Sequence, residues 1–256
     1  EDGHKLIIQV KENEKKQKIA KIDVSDFSPL INRAIISLYI QGVDELEVTY
    51  KDFDQIKDFQ KNVINELISF EIIKQSRTFA LIKDISGESN QEIDDIVKRI
   101  FFILESMIEE FITAVEEKQN LEQVIEIENS VNKFANFCMR MLNKKGYKDS
   151  KKTQYFYGIV SLLEELGDII KRLAQETGKI KKINKEQVVI LKDLNEFLKS
   201  FENILFNFTK EKELEFARKY ELIKKKIKAG NKTDFYLLQM VETMIRMNGF
   251  LLVMSL

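Results

Sequence analysis

Three short stretches place polar side chains at a spacing that could do chemistry. Glu128 is followed four residues on by Asn132, Glu164 by Asp168, and Glu242 by Arg246. On a helix, residues four apart lie one above the other on a single face. Two carboxylates in that relation can share a cation, because hard cations prefer oxygen ligands. Glu164 with Asp168 meets this need with two charges; Glu128 with Asn132 offers one charge and one neutral oxygen. Glu242 with Arg246 carries its own cation and reads as an ion pair. The candidate ligands for a divalent or iron-type ion are therefore Glu164 and Asp168, with Glu128 and Asn132 as weaker company. Acid pairs at this spacing are also common on solvated helix faces, and that reading stands beside the metal one.

The three pairs share a phase. Each residue advances about 100° round a helix, so the polar positions fall near 100° and 140° from the apolar residues Ile127, Leu163 and Val241 that precede them. Apolar stripes run through Val131, Phe134 and Cys138, through Phe156, Leu163 and Ile170, and through Leu238 and Leu252. The expectation is that Glu128, Glu164 and Glu242 occupy equivalent places on an exposed flank, off the bundle core.

The elements that must position them follow from periodicity. Residues 1–85 alternate short strands and helices: strands at 6–10 and 19–24, a helix at 28–41 ended by Gly42, a strand at 45–50, a helix at 53–69, and a hairpin from 70–75 and 78–83. The order ββαβαββ implies a small α+β domain with helices on one face. At Ser86-Gly87-Glu88-Ser89-Asn90 the composition changes, and Ser89 with Glu92 forms a capping box. Beyond it only helices are expected, near 89–118, 121–144, 150–177, 185–208, 210–229 and 232–255. Their short connections force antiparallel neighbours. Six helices of similar length suggest an all-α domain at 86–256 made of two tandem three-helix bundles, 89–177 and 185–255.

Composition narrows the function. Forty-one basic side chains against forty-two acidic ones leave a net charge of −1, unlike the basic footprint of a nucleic-acid binder. His4 is the only histidine, which removes histidine triads, histidine-rich zinc sites and the Glu-x-x-His pairs of di-metal bundle enzymes. The dispersed glycines form no phosphate loop. Cys138, the only cysteine, can form no disulfide within the chain and reads as a small core residue. No apolar run near ~20 residues and no signal peptide stand out, so a cytoplasmic protein without membrane insertion is expected. Residue 1 is not Met and opens an apparent strand, so the natural chain is expected to begin earlier.

The stretches "ENSVNKFANFCMRML" at 128–142 and "VSLLEELGDIIKRLA" at 160–174 are similar to signature segments of the phosphate-uptake regulator (PhoU) family. "PLINRAIISLYIQGVDELEV" at 29–48 looks like the segment that precedes the PhoU domain in the archaeal-type branch, and "EDGHKLII" at 1–8 looks like the tail of an AbrB-like DNA-binding domain. The resemblance implies a pair of three-helix bundles and a non-enzymatic regulator that restrains phosphate uptake or signalling by touching a transporter ATPase or a sensor kinase. It also implies metal binding through acid pairs, carried over here onto Glu164 and Asp168 and, with Asn132 in place of an acid, onto Glu128. A homodimer is expected. The alternative is an AbrB-type transcriptional regulator whose DNA-binding portion lies upstream of residue 1.

Overall fold

A computed structural model describes residues 17–52, 54–58, 66–86, 92–180, 183–228 and 230–256. A small α+β unit precedes a helical part. The expected strand at 6–10, the segment at 1–8 and the capping box at Ser89 lie outside the described residues.

In the α+β unit, β1 (Ile19–Asp23), α1 (Ile31–Ile40), β2 (Glu45–Thr49), α2 (Asp54–Asp58), β3 (Phe70–Gln75) and β4 (Phe79–Asp84) follow in order. The sheet order is β1-β2-β4-β3, with β1 parallel to β2 and the other pairs antiparallel. Alternation decides its faces. Leu46, Val48, Ala80 and Ile82 are buried with Ile35 and Tyr39 of α1 and Ile56 of α2. Their neighbours Glu47 and Lys21 pair across the opposite face at 2.7 Å. The helix α1 starts three residues later than the expected Ser28, because a residue before proline disfavours helical backbone. It ends at Gly42, whose φ of 82° is open to glycine at little cost. The helix expected across 53–69 does not reach its end: Ser69 has φ 71° and residues 67–69 form a turn into β3.

The helical part comprises α3 (Ile93–Glu116), α4 (Glu122–Lys145), α5 (Thr153–Ile180), α6 (Lys185–Phe206), α7 (Lys210–Lys226) and α8 (Lys232–Ser255). The caps are local chemistry. Asn184 and Gln187 close a reciprocal capping box at α6, and Thr209 and Asn231 accept backbone N–H groups at the starts of α7 and α8. Residues 150–152 form a separate turn of 3₁₀ helix before α5, and α5 continues through Gly178 rather than stopping at 177. Packing runs from α3 to α4, α5 and α6, from α4 to α5, from α5 to α8, and among α6, α7 and α8; α1 rests on α4. Cys138 is buried, and burial pushes its thiol up to about 12. One helix among the described residues, α8, is long and apolar enough to cross a membrane by length and composition, which the sequence had not suggested; less than half of that window is buried.

Candidate functional site

Buried positions define a straight line along each helix. In α4 it runs Val124, Glu128, Val131, Ala135, Cys138, Leu142; in α5 Ile159, Leu163, Leu166, Ile170, Leu173, Thr177; in α8 Leu237, Met240, Met244, Met247, Leu251. Each line steps by three and four residues, the spacing of one helix face. Against these lines the three glutamates are not equivalent. Glu128 is a member of its line and is 0% exposed. Glu164 stands one residue past Leu163, about 100° off the line, and is partly buried. Glu242 stands two past Met240, on the outer side. The expectation that all three share an exposed flank is thus corrected for Glu128. The phase of a polar residue relative to the apolar one before it does not fix its facing, because Ile127 is only partly buried and does not mark the core.

A buried carboxylate must be paired and hydrogen-bonded. Glu128 is answered on both oxygens: Asn132 Nδ2 donates to Oε1 at 2.7 Å, and Lys171 Nζ of α5 donates to Oε2 at 2.7 Å. One helical turn carries the next pairing, Arg172 donating to Asp168 at 2.5 Å. Burial holds the Glu164 carboxyl up, at about 7, and the nearby charges of Asp168, Glu128 and Glu165 push the same way. Glu66 of the α+β unit reaches this neighbourhood: burial and then the Glu128 charge raise its carboxyl above the usual range, while Lys171 works against them. So Glu128 with Asn132 on α4 and Glu164 with Asp168 on α5 lie on two packed helices, the Glu128 charge acting on Glu164 and also on Glu66, which sequence spacing could not reveal.

Protein donors already occupy part of this cluster. Both oxygens of Glu128 are engaged by protein donors, Asp168 is engaged by Arg172, and among the described residues no three acidic, histidine or cysteine side chains converge as ligands. Lys171 answers Glu128 and Arg172 answers Asp168. Asn132 Oδ1 is buried without a partner, yet its own amide is turned to donate to Glu128. What the site can do is bind a proton at Glu164 and hold α4 to α5. The third pair does not close on itself as its spacing suggested: Glu242 accepts from Tyr220 at 3.1 Å and pairs with Lys224 at 2.8 Å, while Arg246 donates to Glu165 at 3.1 Å and to Thr243 at 2.9 Å.

A second cluster joins the α+β unit to α4, and sequence reasoning missed it. Arg140 is 1% exposed. Its NH1 donates to the backbone carbonyls of Tyr39 at 2.8 Å and Val43 at 2.7 Å, and its NH2 donates to Asp84 at 2.7 Å. The guanidinium also lies 4.8 Å from the Tyr39 ring centre and 5.0 Å from that of Phe70. Asn143 donates to the Ile40 carbonyl at 2.8 Å, and Lys144 pairs with Asp44. These donors reinforce the end of α1 and the turn after it, where the Gly42 N–H also reaches the Tyr39 carbonyl at 2.9 Å. Burial pushes the Asp84 carboxyl up, but hydrogen bonds from Ser86 and Arg140 outweigh it and hold the group below its usual range. Gly42 belongs to the same contact: a Cβ there would lie 2.6 Å from Lys144 Cγ. The available signal was a single arginine inside the apolar run Phe137 to Leu142.

An open groove of about 510 Å³ at the start of α5, bordered by Asn143, Lys151 and Tyr157, brings no reactive pair together. No family model, no curated protein and no solved structure matches the chain.

Proposed function

We propose that the chain is a non-enzymatic regulator of phosphate uptake or signalling, working in the cytoplasm by contact with a transporter ATPase or a sensor kinase. The observation that carries this reading is the duplicated helix packing. Each of α3, α4 and α5 touches the other two, each of α6, α7 and α8 touches the other two, and the trios meet where α3 lies on α6 and α5 on α8. We read this as two tandem three-helix bundles, the arrangement implied by the likeness of 128–142 and 160–174 to phosphate-uptake regulators. Helices stacked this way leave long outer faces for a partner, and the acid-lined α4–α5 contact serves as internal structure. The test is calorimetric titration of the purified chain into the ATPase subunit of a phosphate transporter and into the cytoplasmic part of a phosphate-sensing kinase from the same cell. Micromolar or tighter binding to one of them is expected. No heat with either, together with unchanged phosphate uptake in cells lacking the chain, would refute the reading.

A further inference from the structure

The outer line of α8 runs Phe235, Gln239, Glu242, Arg246, Gly249, Val253, opposite the buried line, and it has a symmetry of its own. Its members fall in pairs equally spaced about Met244: Phe235 with Val253, Gln239 with Gly249, Glu242 with Arg246. An apolar residue answers an apolar one, an acid answers a base, and a polar side chain answers a glycine. Phe235 is 57% exposed and Val253 is 59% exposed, on a helix whose opposite face is buried. Gly249 faces open space, with nothing within 4 Å of where a Cβ would sit. Glycine is the poorest helix former after proline, so its place mid-helix is not explained by anything inside the protomer. It permits close approach from outside.

From this geometry we infer that α8 is a self-association surface, pairing antiparallel with α8 of a second copy about a two-fold axis at Met244. A two-fold contact is made by one patch meeting itself, so its sequence must complement its own reversal. This line does. Phe235 covers the partner's Val253, Gln239 lies over the partner's Gly249, and Glu242 meets the partner's Arg246 twice by symmetry. The charges have capacity to spare. Tyr220 and Lys224 both use Oε1 of Glu242, and the described contacts of Arg246 with Glu165 and Thr243 both use NH2. Among the described residues, Oε2 of Glu242 and the rest of the planar guanidinium fork remain for the partner. From Phe235 to Val253 the line is about 27 Å long. The inference does not depend on which protein the chain regulates.

Sedimentation velocity on the whole chain from about 1 to 200 µM tests it, with a reversible monomer–dimer equilibrium expected in that range. Gly249→Arg places its Cβ in open space, so it should leave the melting temperature intact and weaken dimerisation at least about tenfold. Glu242→Arg and Arg246→Glu place like charges in contact, and each should be monomeric alone. Mixed in equal amounts, the two variants should form a heterodimer, because every cross-contact again joins opposite charges. A wild-type chain that stays monomeric, a dimer that survives Gly249→Arg, or a mixture that fails to pair would overturn the proposal. So would a monomer that instead co-sediments with phosphatidylcholine vesicles, which would assign the apolar face to a lipid surface.

Discussion

Replacing Arg140 with Met removes the guanidinium while keeping much of the buried volume of its stem. The change strips Asp84 of the donor at 2.7 Å and removes the guanidinium from the carbonyls of Val43 and Tyr39, of which Tyr39 still accepts from the Gly42 N–H at 2.9 Å. Deleting one partner of a buried ion pair costs about 3–5 kcal/mol. The Val43 carbonyl, losing this donor, adds about 1–3 kcal/mol. Lys144 stays within 3.7 Å of Asp84 and offsets part of the loss, so a net cost near 4 kcal/mol is expected. In a chain of this size each kcal/mol moves the melting temperature by roughly 2–4 °C, which gives a fall of about 8–16 °C. Thermal melts followed by far-UV circular dichroism read that number, and hydrogen exchange on the native protein locates it. Exchange should rise at the end of α1 and along β4 before it rises in α6. Arg140→Lys keeps the charge but loses the planar fork, and should fall about half as far. A Met variant that melts within about 2 °C of wild type, or one whose exchange at α1 is unchanged, would refute the reasoning.

Two further outcomes follow from the α4–α5 contact. Glu164 has its carboxyl raised to about 7 in the folded state, so between the unfolded value near 4.5 and that point the native chain holds the extra proton. Stability should therefore fall as pH rises across that window. Glu164→Gln should flatten this part of the profile and melt higher than wild type at pH 8; parallel melting profiles from pH 5 to 8 would count against the assignment. With Lys171 and Arg172 already beside the acids, millimolar Mn²⁺, Fe²⁺ or Zn²⁺ should leave the melting temperature unmoved. A metal-dependent rise that disappears in Asp168→Ala would restore a metal site there.

Much of the scaffold is legible in the sequence because local periodicity and turn chemistry both point to it. Alternation at 45–49 and 79–84 gives strands, and Asn184, Thr209 and Asn231 announce helix starts. The facing of α4 was not legible. Six positions that include a glutamate define its buried line, and a charged residue inside a core is visible only when its cation is known. That cation, Lys171, comes from 43 residues further along. The Arg140 cluster lies further still beyond local pattern, its carbonyl partners being 97 and 101 residues away. The end expected for the second helix, at 69, gave way to turn geometry there, with Ser69 at φ 71°.

The bonds from α4 to the end of α1 bear on how the chain can be divided. The change in composition at Ser86 invites a cut there, yet each side of such a cut would lose something the other supplies. The helical fragment would present a bare guanidinium and amide on α4, and the sheet fragment would expose Tyr39, Phe70 and the frayed end of a helix. The two parts are separate in sequence and joined in energy. A bend in α4, whatever imposes it, is delivered to the sheet through a rigid fork rather than through a hinge.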